Sequence, residues 1–312
     1  MQRLLVVTPC LNAAHYLDDT IMSVVTQAGD YAVHYHIQDG GSNDGTMSKL
    51  ETWSRRIAGD DWPRLCRELV FSYNSGPDKG LYDAINKGFA MHNRGLPDDC
   101  MMTWINAGDR LAQGALQTIT TVRQIFADME WIAGSFAQLS NEGCPVAYGT
   151  AAAVSRKAIV AGLHDGRRLG FLQQEGVFWS YALWRKAGGL LNSRLKLAGD
   201  FDLWRRFAEH APCHALNSVT GFFRRHEGGL SSNIQQYFDE VDGLLSGDAA
   251  SRRDAVLQEL TQLAARNDRE GLARAGFLGP VVLWNSETCA WERKTALINV
   301  RRPDVLVSRT TQ

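Results

Sequence analysis

The chain has 312 residues, 45% of them hydrophobic and 21% charged, with 33 Lys and Arg against 34 Asp and Glu for a net charge of -1. A chain this long is one large α/β domain or two ordinary ones, and it can bury about three quarters of its unfolded surface without disulfide staples. The balanced charge argues against a dedicated nucleic-acid binder. No apolar run nears the ~18 residues of a membrane helix, which excludes an integral membrane protein.

In chain order, Leu4 to Val7 is a continuous apolar run, the pattern of a strand buried on both faces, and not of a signal peptide. Leu17, Ile21, Val24 and Val25 follow at i, i+4, i+7 and i+8 and predict one face of a helix. Val33 to Gln38 is the second strand, cut off by the Asp39–Gly45 turn, with a helix from Thr46 to Ile57. Leu69 to Tyr73 is the third, followed by a Gly/Pro/Asp turn and a helix from Leu81 to about His92. Met101 to Ile105 is the fourth and ends at Asn106-Ala107-Gly108-Asp109. Strand, polar turn and helix in repetition predict a parallel sheet with crossover helices. In such a sheet the turns after the strands gather along one edge, where ligands bind. Asn12, Asp39, Asp44, Asp78 and Asp109 are therefore expected to converge.

The second half is less regular. Trp131–Leu139 and Val146–Ala152 read as strands flanking an Asn141-Glu142-Gly143 turn. Leu203 and Phe207 at i, i+4 predict a helix with Asp200 at its N-cap, and Val256, Leu257, Leu260, Leu263 and Ala264 mark another within Ser251–Arg266. The last forty residues carry no legible pattern. The six cysteines are scattered without a Cys-x-x-Cys pair, as free thiols in a reducing cytosol would be.

Three turns carry the chemistry. An acid such as Asp39 at a strand end can accept hydrogen bonds from a ribose or a base, and the adjoining glycines let a flat ligand approach. Asp109, after a central buried strand, is placed to hold a divalent cation against a diphosphate. Asp200 and Asp202 lie among aromatic residues, where partial desolvation makes a carboxylate a better base. Each turn also has a purely structural alternative, a helix cap by Asp44 or Ser42, by Asp109 and by Asp200. Gly-x-Gly-x-x-Gly, P-loop and Gly-x-Ser-x-Gly motifs are absent, against a dinucleotide enzyme, an NTPase or a hydrolase elbow.

Taken in order, these segments resemble the family 2 glycosyltransferases, a GT-A-fold group using nucleotide-sugar donors, from Val6 to about Ser232. Thr8-Pro9-Cys10-Leu11-Asn12 is similar to the family's opening T-P-x-Y-N, and Asp39 to Thr46 to its D-G-G-S-x-D-G-T loop. Gly76 to Gly88, with Asp78, Lys79 and Asn86, resembles its D-x-G-x-x-D-A-x-N-x-G stretch. Asn106 to Asp109 stands at the metal-binding D-x-D element, Asp200 at the catalytic base, and Arg224-Arg225-His226 opens an R-x-H segment. Leu11 replaces an aromatic, and Asn106 and Gly108 replace acids of the D-x-D element, which weakens the case for metal dependence.

The resemblance implies a mostly parallel GT-A-like sheet flanked by helices, with a helical or irregular C-terminal extension. The division is 1–110 for nucleotide binding, 111–235 for the acceptor and 236–312 for the extension. It implies an inverting transfer of a sugar from a nucleoside diphosphate-sugar to an acceptor hydroxyl, in surface polysaccharide or glycolipid assembly. Asp200 is the implied base, with Glu175 the runner-up. Donor contacts fall to Thr8, Pro9, Asn12, Asp39, Asp44, Asp78, Lys79, Asn86, Asn106 and Ala107, and Mg²⁺ or Mn²⁺ to Asp109 and His226. The expected acceptor is a saccharide or a lipid-linked alcohol, and no nucleic acid takes part. The expected location is the cytoplasm, with peripheral association at the inner membrane face and homo-oligomerisation left open. The alternatives are an inactive nucleotide-sugar-binding or assembly protein and a sugar nucleotidyltransferase.

Overall fold

In the computed structural model, residues 1–59, 62–225 and 233–299 are described. The apolar run of Leu4 to Val7 lies inside β1 (Gln2–Cys10) and is buried on both faces, as its lack of alternation predicts. In α1 (Leu17–Val25), the residues Leu17, Ile21, Val24 and Val25 form the buried face. Next come β2 (Gly29–Asp39), α2 (Thr46–Ala58), β3 (Cys66–Ser75), α3 (Leu81–His92) and β4 (Met101–Trp104). The strand–turn–helix repetition is thus realised through four strands, and β3, β2, β1 and β4 lie side by side, all parallel.

The middle of the chain departs from expectation. After β5 (Arg110–Leu111) and α4 (Ala115–Ile125), the predicted strand Trp131–Leu139 is two strands, β6 (Trp131–Ala133) and β7 (Ala137–Leu139). β6 joins the main sheet, whereas β7 turns away and pairs antiparallel with β8 (Pro145–Tyr148) in a second, four-stranded sheet. Gly134 marks the change. A Cβ there would stand 2.0 Å from Thr220 Oγ1, so the chain crosses a space only glycine fits.

Beyond α5 (Arg156–Val160), a single 3₁₀ turn (Gln174–Gly176) leads into β9 (Val177–Ser180) and α6 (Tyr181–Lys186). β9 inserts antiparallel between β4 and β6. α7 (Gly199–His210) is the expected helix around Leu203 and Phe207, but its N-cap is Ala198 and Asp200 lies within the first turn. The capping expectation for Asp200 is therefore corrected. β10 (His214–Leu216) and β11 (Gly221–Arg224) then complete the two sheets' shared middle, β10 beside β6 and β11 between β5 and β7.

The C-terminal extension holds α8 (Ile234–Leu244), α9 (Asp248–Ala265) and α10 (Arg269–Arg274). It is not all helical or irregular. β12 (Leu278–Asn285) and β13 (Ala290–Leu297) form a hairpin, and β12 pairs parallel with β10, extending the main sheet to nine strands. Among the described residues no helix is long and apolar enough to cross a membrane.

Under α3 and α7 the core is unusually aromatic. Trp104 and Trp204 stack with ring centroids 5.9 Å apart, Trp131 and Trp204 with 5.7 Å, and Phe89, Trp179, Trp184 and Phe207 pack around them. Such pairs add about 0.5–1.5 kcal/mol each beyond the area they bury. The cluster therefore makes a stiff floor beneath the N-terminal turn of α7.

Helix α3 lies close on β1 because Gly88 has no side chain. A Cβ there would meet Val7 Cγ1 at 2.6 Å and His36 Cδ2 at 3.3 Å. Gly88→Ala is expected to lower the urea midpoint. Overpacking costs about 1–3 kcal/mol, more than the ~1 kcal/mol that Ala gains over Gly in helix propensity. An unchanged or raised midpoint would show that α3 can lift off the sheet freely.

Candidate active site

The loops after β1, β2, β3 and β4 lie along the carboxyl edge of the parallel strands, and those after β1 and β2 are laced together. Asn12 N donates to Ser42 Oγ at 2.7 Å, and Asn43 N donates to Asn12 Oδ1 at 3.0 Å. Ala13 N donates to Thr46 Oγ1 at 2.9 Å and Ala14 N to Asp44 Oδ2 at 3.0 Å. Asp44 also receives Thr46 N and Oγ1, while Gly45, in the left-handed region at φ 98, is the N-cap of α2. Neither Asp44 nor Ser42 is that cap.

Asp39 is fully buried at the end of β2. Its carboxylate accepts from Gly41 N and Ser42 N at 3.0 Å, from Ser42 Oγ at 2.5 Å and from Ser75 Oγ at 2.6 Å. Burial would raise its pKa, but these bonds, led by Ser42, hold it below the usual carboxylate value. Asp39 thus anchors the loop. Against the same loop, Asp78 Oδ1 accepts from Gly80 N at 2.8 Å, and its Oδ2 lies 2.6 Å from where a Cβ on Gly40 would stand. Lys79 is exposed at the rim, its backbone N–H spent on Asp83 Oδ2 at 2.9 Å.

Two expected donor contacts point elsewhere. Thr8 is fully buried with its hydroxyl 3.0 Å from that of Tyr35, in the sheet and not in the crevice. Asn86 spends both ends of its amide on Leu191, donating to the carbonyl at 2.9 Å and accepting from the N–H at 2.8 Å. Pro9 is buried in β1, and Ala107 packs partly into the core beneath the edge.

The turn after β4 is occupied by the protein itself. Asp109 is 5% exposed; its Oδ1 accepts from Arg224 N at 2.8 Å and its Oδ2 from Asn106 Nδ2 at 3.2 Å. The strand β5 follows directly, so Asp109 caps no helix. Glu175, also 5% exposed, hydrogen-bonds Asp109, and burial followed by the Asp109 charge pushes its carboxyl well above the usual range. Gln174, beside it, donates to the Trp104 carbonyl at 2.6 Å and accepts from Asn106 Nδ2 at 3.3 Å. Gln173 clamps both backbone groups of Ala137.

These donors do not make a cation site. A hard divalent ion takes several unspent oxygens, whereas both Asp109 carboxylate oxygens already accept from Arg224 N and Asn106 Nδ2. Among the described residues no group of three or more His, Cys, Asp or Glu is placed to hold a metal. His226, the other expected ligand, lies outside the described residues.

Arg224, which the sequence marked only as the start of a motif, ties this half together. Its buried guanidinium donates to the carbonyls of Gly108 at 2.7 Å and Asn141 at 2.6 Å and to Asp19 Oδ2 at 2.7 Å, and lies 4.9 Å from the Tyr16 ring centroid. No spacing rule could have found it, because its partners come from two separate loops and the first turn of α1.

Asp200 is partly buried in the first turn of α7, and its Oδ1 accepts from Phe201 N at 2.8 Å. Burial pushes its pKa up to about 6, with the Glu240 charge adding to the rise. The buried Tyr82 hydroxyl accepts from the backbone N–H groups of Gly199 and Asp200. Lys196 Nζ donates to the Lys79 carbonyl at 3.2 Å, joining the loop before α7 to the loop after β3. Asp200 also lies close enough to Glu175 to raise its pKa. Hydrogen bonds therefore join Asn12, Ser42 and Asp39, another joins Lys196 to Lys79, and Glu175 stands near both Asp109 and Asp200.

No protein-family model and no curated protein sequence matches this chain. Among solved structures, it is similar to residues 1-349 of TarS from S. aureus, with a TM-score of 0.55 and 15% identity over 86% of this chain and 74% of that one. The same TarS segment in complex with UDP-GlcNAc gives a TM-score of 0.57 at 14% identity. The mannosyltransferase PcManGT from Pyrobaculum calidifontis, in complex with GDP-Man and Mn2+, gives 0.53 at 14% identity, covering 88% of this chain and 74% of that one. The chain therefore has the GT-A-like fold of these proteins.

Because Arg224 bridges two loops and helix α1 from a buried position, Arg224→Ala is expected to lower the unfolding free energy by at least about 3 kcal/mol. Arg224→Lys should recover little of it, since one ammonium cannot reach all three acceptors. Chemical denaturation of both variants measures this, and a loss under about 1 kcal/mol for Arg224→Ala would show the bridge to be dispensable.

Proposed function

We propose that the protein is an inverting glycosyltransferase that moves a sugar from a nucleoside diphosphate-sugar to an acceptor hydroxyl. The observation that carries this reading is Asp200, a carboxyl with a pKa near 6 at the crevice edge. The fold is shared with proteins solved in complex with UDP-GlcNAc and with GDP-Man and Mn2+.

In this reading the nucleotide lies over the laced loops of β1 and β2, whose shape Asp39 and Asp44 maintain. Asp78 and Lys79 face it from the loop after β3. The exposed Lys79 ammonium supplies positive charge to the diphosphate, and the Asn106–Asp109 turn closes the other side. Since the described residues around Asp109 do not fit a resident cation, no step here runs through one.

Asp200 takes the proton from the acceptor hydroxyl as its oxygen attacks the anomeric carbon from the face opposite the departing diphosphate. A base with a pKa near 6 is ionised at neutral pH yet still basic enough to draw off a proton in the transition state. Glu175, buried and hydrogen-bonded to Asp109, fixes the wall beside Asp200. The acceptor enters on the side of the second sheet, where Phe136 and Tyr148 are exposed and present flat apolar faces to a sugar ring. A saccharide or lipid-linked alcohol suits that wall, consistent with surface polysaccharide or glycolipid assembly at the inner membrane face.

Asp200→Asn is expected to lower transfer by about 10²–10⁴-fold while leaving stabilisation by the donor unchanged in a thermal-shift panel of UDP-, GDP- and TDP-sugars. Transfer at the wild-type rate would remove Asp200 from the chemistry.

The wild-type rate should rise with pH through about 6, because the protonated carboxyl present below that value cannot accept a proton. A flat profile from pH 5 to 8 would mean that another group is the base.

A further inference from the structure

Helix α7 begins without a cap of its own. Its N-cap residue is Ala198, which has no side-chain acceptor, so the N–H groups leading into the helix need a partner from elsewhere. Glu240, in the middle of α8, supplies it. Its Oε1 accepts from Lys196 N at 2.9 Å, and its Oε2 accepts from Leu197 N and Ala198 N, each at 2.9 Å. One carboxylate thus holds three consecutive backbone N–H groups at the positive end of a helix, the place where a fixed anion is most stabilising.

The helix carrying Glu240 is itself firmly seated. Tyr237 and Val241, on either side of it, are buried with Ala198 and Phe201 in one apolar cluster. Asp242 receives Arg167 Nη2 at 2.6 Å and Arg253 Nη1 at 3.1 Å. We infer that Glu240 is a positioning residue for Asp200, setting the path of residues 196–198 so that the first turn of α7 presents the Asp200 carboxyl to the crevice.

This inference rests on the proposed role of Asp200 and extends it to a helix that lies apart from the strand-end loops. Among the described residues, the titratable groups close enough to interact with Asp200 are Tyr82 from α3, Glu175 from the 3₁₀ turn, and Tyr237 and Glu240 from α8. Of these, Glu240 alone combines a grip on the backbone leading to Asp200 with a charge that raises the Asp200 pKa. An ordinary Ser or Thr at position 198 would cap the helix without adding that charge.

The experiment is a carbon-13 NMR titration of the full chain labelled at aspartate carboxyls, with Asp200 assigned by its absence in Asp200→Asn. The wild-type carboxyl should titrate near pH 6. Glu240→Gln keeps one oxygen acceptor and the fold but removes the charge, and should lower that midpoint by about half a unit or more. In the same variant the amides of Lys196, Leu197 and Ala198 should exchange with solvent faster, about 10-fold for each 1.4 kcal/mol of lost protection. An unshifted midpoint with unchanged exchange overturns the inference.

Asp200→Asn transfer tests the base by itself. If that variant is inactive and Glu240→Gln leaves both the midpoint and the amide exchange unchanged, only the Glu240 link fails. If that variant is active, the base assignment fails, and with it the positioning role, whatever the titration shows.

Discussion

A parallel sheet buried on both faces has nowhere to put polar backbone except its two ends. Here that constraint governs everything at the carboxyl edge, because β1, β2, β3 and β4 all stop there and each releases a polar turn. The turns satisfy one another. Ser42 serves Asn12 and Asp39, Thr46 serves Ala13 and Asp44, and Arg224 serves Gly108, Asn141 and Asp19. The mutual hydrogen bonding ties the loops after β1 and β2 to each other, and Arg224 ties the turn after β4 to α1, the kind of fixed edge that a preorganised binding site requires.

That edge also sorts the acids into two kinds. Asp39, Asp44 and Asp109 are acceptors for the protein's own N–H and O–H groups, and their charges stabilise turns. Asp200 receives one N–H from its immediate neighbour and otherwise sits among buried aromatic and acidic groups. Its charge is poorly compensated, which is costly for the fold and useful for chemistry. Glu175 is a third case, its carboxyl pushed well above the usual range by burial and by Asp109 beside it.

The sheet, its direction and the gathering of turns were legible because hydrophobic periodicity and Gly/Asp turns are local signals. Leu4–Val7 and the Leu17–Val25 face needed no partner to be read. The break at Gly134 was not legible, since it depends on Thr220 standing across from it, 86 residues later, and Trp131–Leu139 looks like one strand without that neighbour. The same holds for the site. Asp200 was visible as an acid among aromatics, but Ala198 as an uncapped N-terminus acquires meaning only once Glu240 is placed over it. Thr8 and Asn86 were misplaced for the converse reason. Their neighbours in sequence suggest a ligand, whereas Tyr35 and Leu191 already occupy them.

The strand order has a consequence for how the chain matures. β10 pairs with β6 on one side and with β12 on the other, and β12 arrives only with residues 278–285. Until the ribosome has released that stretch, the flank of His214–Leu216 is an open row of hydrogen-bonding groups with a buried, apolar character, the kind of margin that recruits stray strands from other molecules. The closing hairpin, with Glu292, Arg293 and Lys294 along its outer strand, replaces that margin with a charged one. Synthesis from the N-terminus therefore builds the crevice first and the protection against self-association last.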